Sequence, residues 1–266
     1  VKNKRAMIAL VIFLIIALMA IFGPMISPYS YDGMDTAIMN QRPSAAHWFG
    51  TDRFGRDLFT RVLYGARISL MVGIVTAVIN TIIGVIYGGI AGYVGGRVDM
   101  WMMRLTDILY SIPELLYIIL IMLIFGSNVR SIIIGVCVAG WISMARMVRS
   151  QIITLKEQEF ALAAFVLGAN SRRILFKHLI VNSLGTIIVT VTLMIPQAIF
   201  MEAFLSFVGV GISAPMASLG TLAQDARTYL EIFPYQMLFP VAAICVTIFS
   251  LNFIGEGLNS ALNPKG

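Results

Sequence analysis

Several runs in this chain are apolar on every side of any helix drawn through them, and this limits the fold more than any other feature. Ile82–Ala91 and Val241–Phe249 show neither the two-residue alternation of a half-buried strand nor a polar helical stripe. About six such runs approach the roughly 20 residues that a helix needs to cross the hydrocarbon core. In lipid every backbone polar group must be paired internally, so a continuous apolar segment crosses as a helix, whereas a barrel strand would alternate. Composition agrees, with 59% hydrophobic and 12% charged residues, well outside the soluble range. The predicted fold is therefore all-α, a single-domain polytopic membrane bundle of about six transmembrane helices.

Lys2, Lys4 and Arg5 precede the apolar run Ala6–Phe22. That run is long for a signal-peptide core and lacks a small-residue cleavage site, so residues 1–22 are read as a first transmembrane helix stopped by Gly23-Pro24. An external segment, 23–68, follows, and a five-helix core, 69–266, has spans near Ser69–Ala91, Thr106–Phe125, Ser131–Met147, Leu184–Phe207 and Pro234–Ile254. Both termini then lie on one side. A cytoplasmic amino terminus places every lysine inside, including Lys156, Lys177 and Lys265, together with Arg97, Arg104, Arg146, Arg149, Arg172 and Arg173. Arg42, Arg53, Arg56, Arg61 and Arg67 fall in the external segment, where Asp32, Asp35, Asp52 and Asp57 nearly balance them. The net charge of +6 thus marks orientation in a cell membrane and argues against nucleic acid as a partner. Cys137 and Cys245 lie in apolar runs and read as packing residues.

Chemistry is conspicuous by its missing signatures. No phosphate-cradling G-x-x-x-x-G-K-[ST] occurs, so any ATP that drives this chain is hydrolysed elsewhere. His47 and His178 are the only histidines, and no metal-ligand or nucleophile–base spacing is present. Gly84, Gly88, Gly92 and Gly96 recur every four residues, which is a helix-packing stripe.

The cytoplasmic stretch 150–183 reads as two short helices. Glu157 and Glu159 suit a first turn, and Phe160, Ala163, Ala164 and Leu167 share a face at helical spacing. Gly168 fits a left-handed helix end, Asn170 follows it, and Ser171 can cap a second helix starting at Arg172. Small residues on an apolar face fit a docking surface; a helix resting on lipid headgroups is the other reading. In the external segment Thr51 and Asp52 close a turn, Gly55 permits a tight bend, and Asp57 with Arg61 forms an i,i+4 pair opening a helix. Asp107, Glu114 and Glu202 are acids within spans, which makes them candidates for a pathway or gate. A structural Arg104–Asp107 pair is the simplest account of Asp107, while Glu202 fits pathway lining and interhelical hydrogen bonding equally.

Ala163-Ala164-x3-Gly168 before a second helix resembles the cytoplasmic coupling loop of bacterial ABC-importer permeases. It departs from that pattern at Leu162, where the family has Glu, and at Val181, near an expected Pro. Gly50-Thr-Asp-Arg-Phe-Gly-Arg-Asp57 and the closing Asn252-Phe-Ile-Gly-Glu-Gly-Leu-Asn-Ser-Ala-Leu-Asn-Pro264 resemble dipeptide and oligopeptide permeases, and the C-type second subunit most closely. The resemblance runs from about Ala6 to Lys265. It implies a non-catalytic subunit that pairs with a homologous second permease, docks one or two cytoplasmic ATPases through the 150–183 loop, and receives short peptides from an extracytoplasmic binding protein. It implies no cofactor on this chain, ATP and Mg being used by the ATPases. The rivals are the same architecture carrying nickel or a metal chelate, a proton-coupled secondary transporter with Asp107, Glu114 and Glu202 as a relay, and a signalling or scaffold protein.

Overall fold

The computed structural model describes residues 4–213 and 215–262, so Lys2 and the closing Asn263-Pro264-Lys265 lie outside the described residues. The architecture is all-α: α1 (Lys4–Ile26), α2 (Leu58–Val94), α3 (Gly96–Tyr110), α4 (Glu114–Phe125), α5 (Val129–Ala139), α6 (Trp141–Leu155), α7 (Glu159–Val166), α8 (Ser171–Arg173), α9 (Ile180–Asn182), α10 (Leu184–Val208), α11 (Leu219–Arg227) and α12 (Tyr235–Leu262). A π-helical stretch, Ile174–Leu179, joins α8 to α9. α1, α2, α5 with α6, α10 and α12 are long and apolar enough to cross a membrane, and the bent pair α3–α4 makes a sixth crossing when counted as one.

α2 is the spine, touching α1, α6, α10 and α12. The glycine stripe explains how closely α6 approaches. A Cβ at Gly84 would lie 2.6 Å from the Met144 Cβ, one at Gly92 2.8 Å from the Arg149 carbonyl, and one at Gly88 would overlap the Ala145 carbonyl. Gly96 does not belong to this seam: α2 ends at Val94, and Gly96 opens α3 with open space around it. At the opposite extreme, α1 buries only Ala9 and Ala20 and leaves an apolar surface to lipid.

Three boundaries differ from those expected. α1 continues through Gly23-Pro24 to Ile26, because a proline this near the end removes little of the helix ladder and Ser27 N–H still reaches the Gly23 carbonyl. α2 starts at Leu58, eleven residues before the expected span, since Asp57 caps it by accepting from Thr60 N–H. The third span is not continuous over Thr106–Phe125. It breaks at Ser111–Pro113 with a bend of 73°, where Pro113 supplies no amide donor and disfavours helix at Ile112. Asp107 and Glu114 consequently sit on separate helices. The expected Arg104–Asp107 pair is replaced by a hydrogen bond of 2.8 Å from Arg146 on α6 to Asp107.

Candidate transport path and docking surface

At one end of the bundle, residues 31–61 fold into an ordered cap. The Asp52 carboxylate accepts from the amides of Phe54 (2.9 Å) and Arg56 (3.0 Å), and from Arg56 Nε at 2.7 Å. Gly55 has φ +71°, and a Cβ there would overlap the Asp35 carbonyl, so the bend requires glycine. Gly50 also has positive φ and packs against the Gln41 carbonyl, while Thr51 Oγ1 accepts from Gln41 N–H. Asp57 accepts from Thr60 and lies 2.9 Å from His47 Nδ1. The expected Asp57–Arg61 pair does not form, because capping and His47 occupy the carboxylate. Arg61 turns instead to Asp52 (3.6 Å), to Asp225 on α11 (3.8 Å) and to the Tyr31 carbonyl. Arg53 and Arg56 reach the same Asp225 at 3.6 Å. Gln236 and Tyr235 at the start of α12 bond to Thr51, Asn40 and Gln41. The cap is thereby fastened to α11 and α12.

Within the bundle, Glu202 is fully enclosed and accepts from Ser69 on α2 (2.6 Å) and Ser206 one turn along α10 (2.8 Å). It does not line the large cavity, and interhelical hydrogen bonding is the role its geometry performs. That cavity, of 760 Å³, opens beside the α3–α4 bend between α2, α5, α10 and α12. Its polar lining comprises Thr76, Asn80, Glu114, Ser143, Gln197 and Asn252, with Tyr110 at the bend. Asn80 is 3% exposed, with Oδ1 lacking a hydrogen-bond partner and its amide nitrogen pressed against Gly140. An unsatisfied buried acceptor costs about 1–3 kcal/mol, so its retention points to a role. Asp107 is outside the cavity and more than half exposed.

At the opposite end of the bundle, α7 ends in a Schellman turn. Gly168 has φ +81°, its N–H meets the Phe165 carbonyl, and Ala169 N–H meets that of Ala164, both at 3.0 Å. Asn170, not Ser171, caps α8, accepting from Arg173 N–H at 2.8 Å. The expected face of Phe160, Ala163, Ala164 and Leu167 is divided. Ala161 and Ala164 pack inward on Ile152, Ile174 and Leu175, whereas Phe160, Leu162, Ala163, Phe165, Val166 and Leu167 are exposed, Leu167 to 86%. Glu157, Glu159 and Ser171 stand in solvent around them.

Residues 84–265 match the family described as binding-protein-dependent transport system inner membrane component. This chain belongs to that family. Residues 1–43 match the N-terminal transmembrane domain of oligopeptide transport permease C, which places it with the C-type permeases. The permease is 49% identical to the oligopeptide transport system permease protein OppC of Bacillus subtilis, over 99% of this chain and 87% of that protein. It is equally identical to the dipeptide transport system permease protein DppC of the same organism (99% and 83%) and 46% identical to OppC of Escherichia coli K12 (99% and 88%).

Sequence reasoning missed several residues on which this permease's geometry depends. Asp225, Gln236 and Ser69 act through partners more than 130 positions away, and nothing local marks them. Asn80 carries a usable signal, being an amide in an otherwise apolar run of α2.

Proposed function

We propose that this permease forms half of the translocation pathway of an ATP-driven importer of short peptides, a homologous permease supplying the other half. The observation that carries this reading is the unpartnered apolar surface of α7, bounded by Glu157 and Glu159 on one side and Arg172 and Arg173 on the other. An apolar patch of this kind, rimmed by charge, marks a protein interface. With no phosphate loop in this chain, the partner that fits is a cytoplasmic ATPase, using its own ATP and Mg²⁺, whose closure displaces α7 to α9 and reopens the cavity to alternate sides. Both termini are then cytoplasmic, and the charged cap faces an extracytoplasmic binding protein. The names of the oligopeptide and dipeptide relatives support peptides as cargo.

The test is uptake by proteoliposomes holding both permeases and the ATPases, with the binding protein supplied outside. A labelled tripeptide should accumulate only with ATP, regardless of a proton ionophore, and Ni²⁺ should not accumulate. The purified single chain should hydrolyse no ATP. Gradient-driven uptake without ATP, or Ni²⁺ uptake in place of peptide, overturns the proposal.

A further inference from the structure

Resting on the permease reading above, we infer that the cavity at the α3–α4 bend is a cation-selective station in the path, where Glu114 receives an ammonium group of the cargo. Among the described residues that line the cavity, Glu114 is the one acid, and no Lys, Arg or His accompanies it. Among the described residues its carboxylate takes part in no hydrogen bond or ion pair. The other two acids expected within spans are spoken for: Glu202 by two serines, Asp107 by Arg146. Glu114 is also the first residue of α4, at the bend beside which the cavity opens.

A carboxylate is an acceptor only, so an anion arriving beside Glu114 meets repulsion, whereas an ammonium offers three N–H groups. Apolar neighbours such as Val136, Met194 and Phe200 lower the local dielectric and concentrate the field of the single charge. A cavity of 760 Å³ also has room for the rest of a short peptide, with the amides of Gln197 and Asn252 available to its backbone.

Two measurements on the complete complex test this. In a background with Cys137 and Cys245 replaced by Ala, a Ser143→Cys thiol in the cavity should react about tenfold faster with a cationic methanethiosulfonate than with an anionic one. Glu114→Gln should bring that ratio to about one. Equal rates in the parent, no reaction with either reagent, or a ratio untouched by Glu114→Gln overturns the inference, whether or not peptides are moved. In proteoliposomes with the binding protein saturated, Glu114→Gln should slow transport per ATP hydrolysed, and Glu114→Asp should restore part of it. Equal slowing of Ala-Ala-Ala and Ala-Lys-Ala assigns the α-ammonium, and slowing of Ala-Lys-Ala alone assigns the lysine side chain. Slowing of neither, or loss of the second permease on purification of Glu114→Gln, overturns the inference and leaves the permease reading standing. Failure of the unmutated complex to move either peptide would instead count against that reading.

Discussion

Glu202 shows what one buried acid does when its partners are known. Its two carboxylate oxygens take one serine hydroxyl each, joining α2 to α10 across the bundle interior. Glu202→Gln preserves an acceptor and adds a donor that a rotating hydroxyl can accept, so assembly should survive. Glu202→Leu leaves both hydroxyls without their acceptor in a dry site, a loss of about 1–3 kcal/mol. The leucine variant alone should lower the thermal midpoint in detergent, and equal midpoints for both variants would remove the structural role. An acid in a span was visible in the sequence, but its function was not, because Ser69 is 133 positions distant. The turn at Asp52 and the bend at Gly55 were legible for the converse reason: a tight turn is closed by residues within four positions.

The helices divide in the same way. The α2 glycines sit against α6 as their spacing predicts, and adjacent positions there differ sharply in tolerance. Gly88→Ala drives a methyl into the Ala145 carbonyl and should cost about 1–3 kcal/mol. Gly89→Ala meets only ordinary contacts at 3.6 Å with Ile180 and Leu175, so it should be neutral or mildly stabilising through helix propensity. Similar thermal midpoints for the two would refute close packing as the reason for the stripe. On α7, periodicity gave a helix with an apolar surface but not the side turned inward, since an all-apolar helix has no polar stripe to orient it. Phe165 is 69% exposed, so Phe165→Asp should leave the permease intact while reducing ATPase copurification about five- to hundredfold. Ala164→Asp, pointing into the bundle, should damage the permease itself. Retention of the ATPases by Phe165→Asp would dismiss α7 as the docking element.

At the scale of the whole molecule, the count of crossings was readable from apolar length, while the broken third span was not, because Pro113 lies inside a run whose hydropathy passes for one helix. The proposed orientation is checked by thiol labelling at exposed positions on each side. With the native cysteines replaced, Ser44→Cys should react with a membrane-impermeant reagent added outside and Lys177→Cys only after the membrane is opened; the reverse pattern would invert the topology. Asp52, 8% exposed, is unsuited to that experiment despite its place in the cap. The 37 residues of α2 extend about 55 Å, well beyond the roughly 30 Å of hydrocarbon. Its first turn is gripped by the cap through Asp57 and Arg61, and its far end receives Lys156 Nζ on the Gly92 carbonyl, just ahead of α7. One unbroken rod therefore has a handle at each end, and in the proposed orientation a push delivered beside α7 would arrive at the opposite face as a displacement of the cap, with no intervening joint to absorb it.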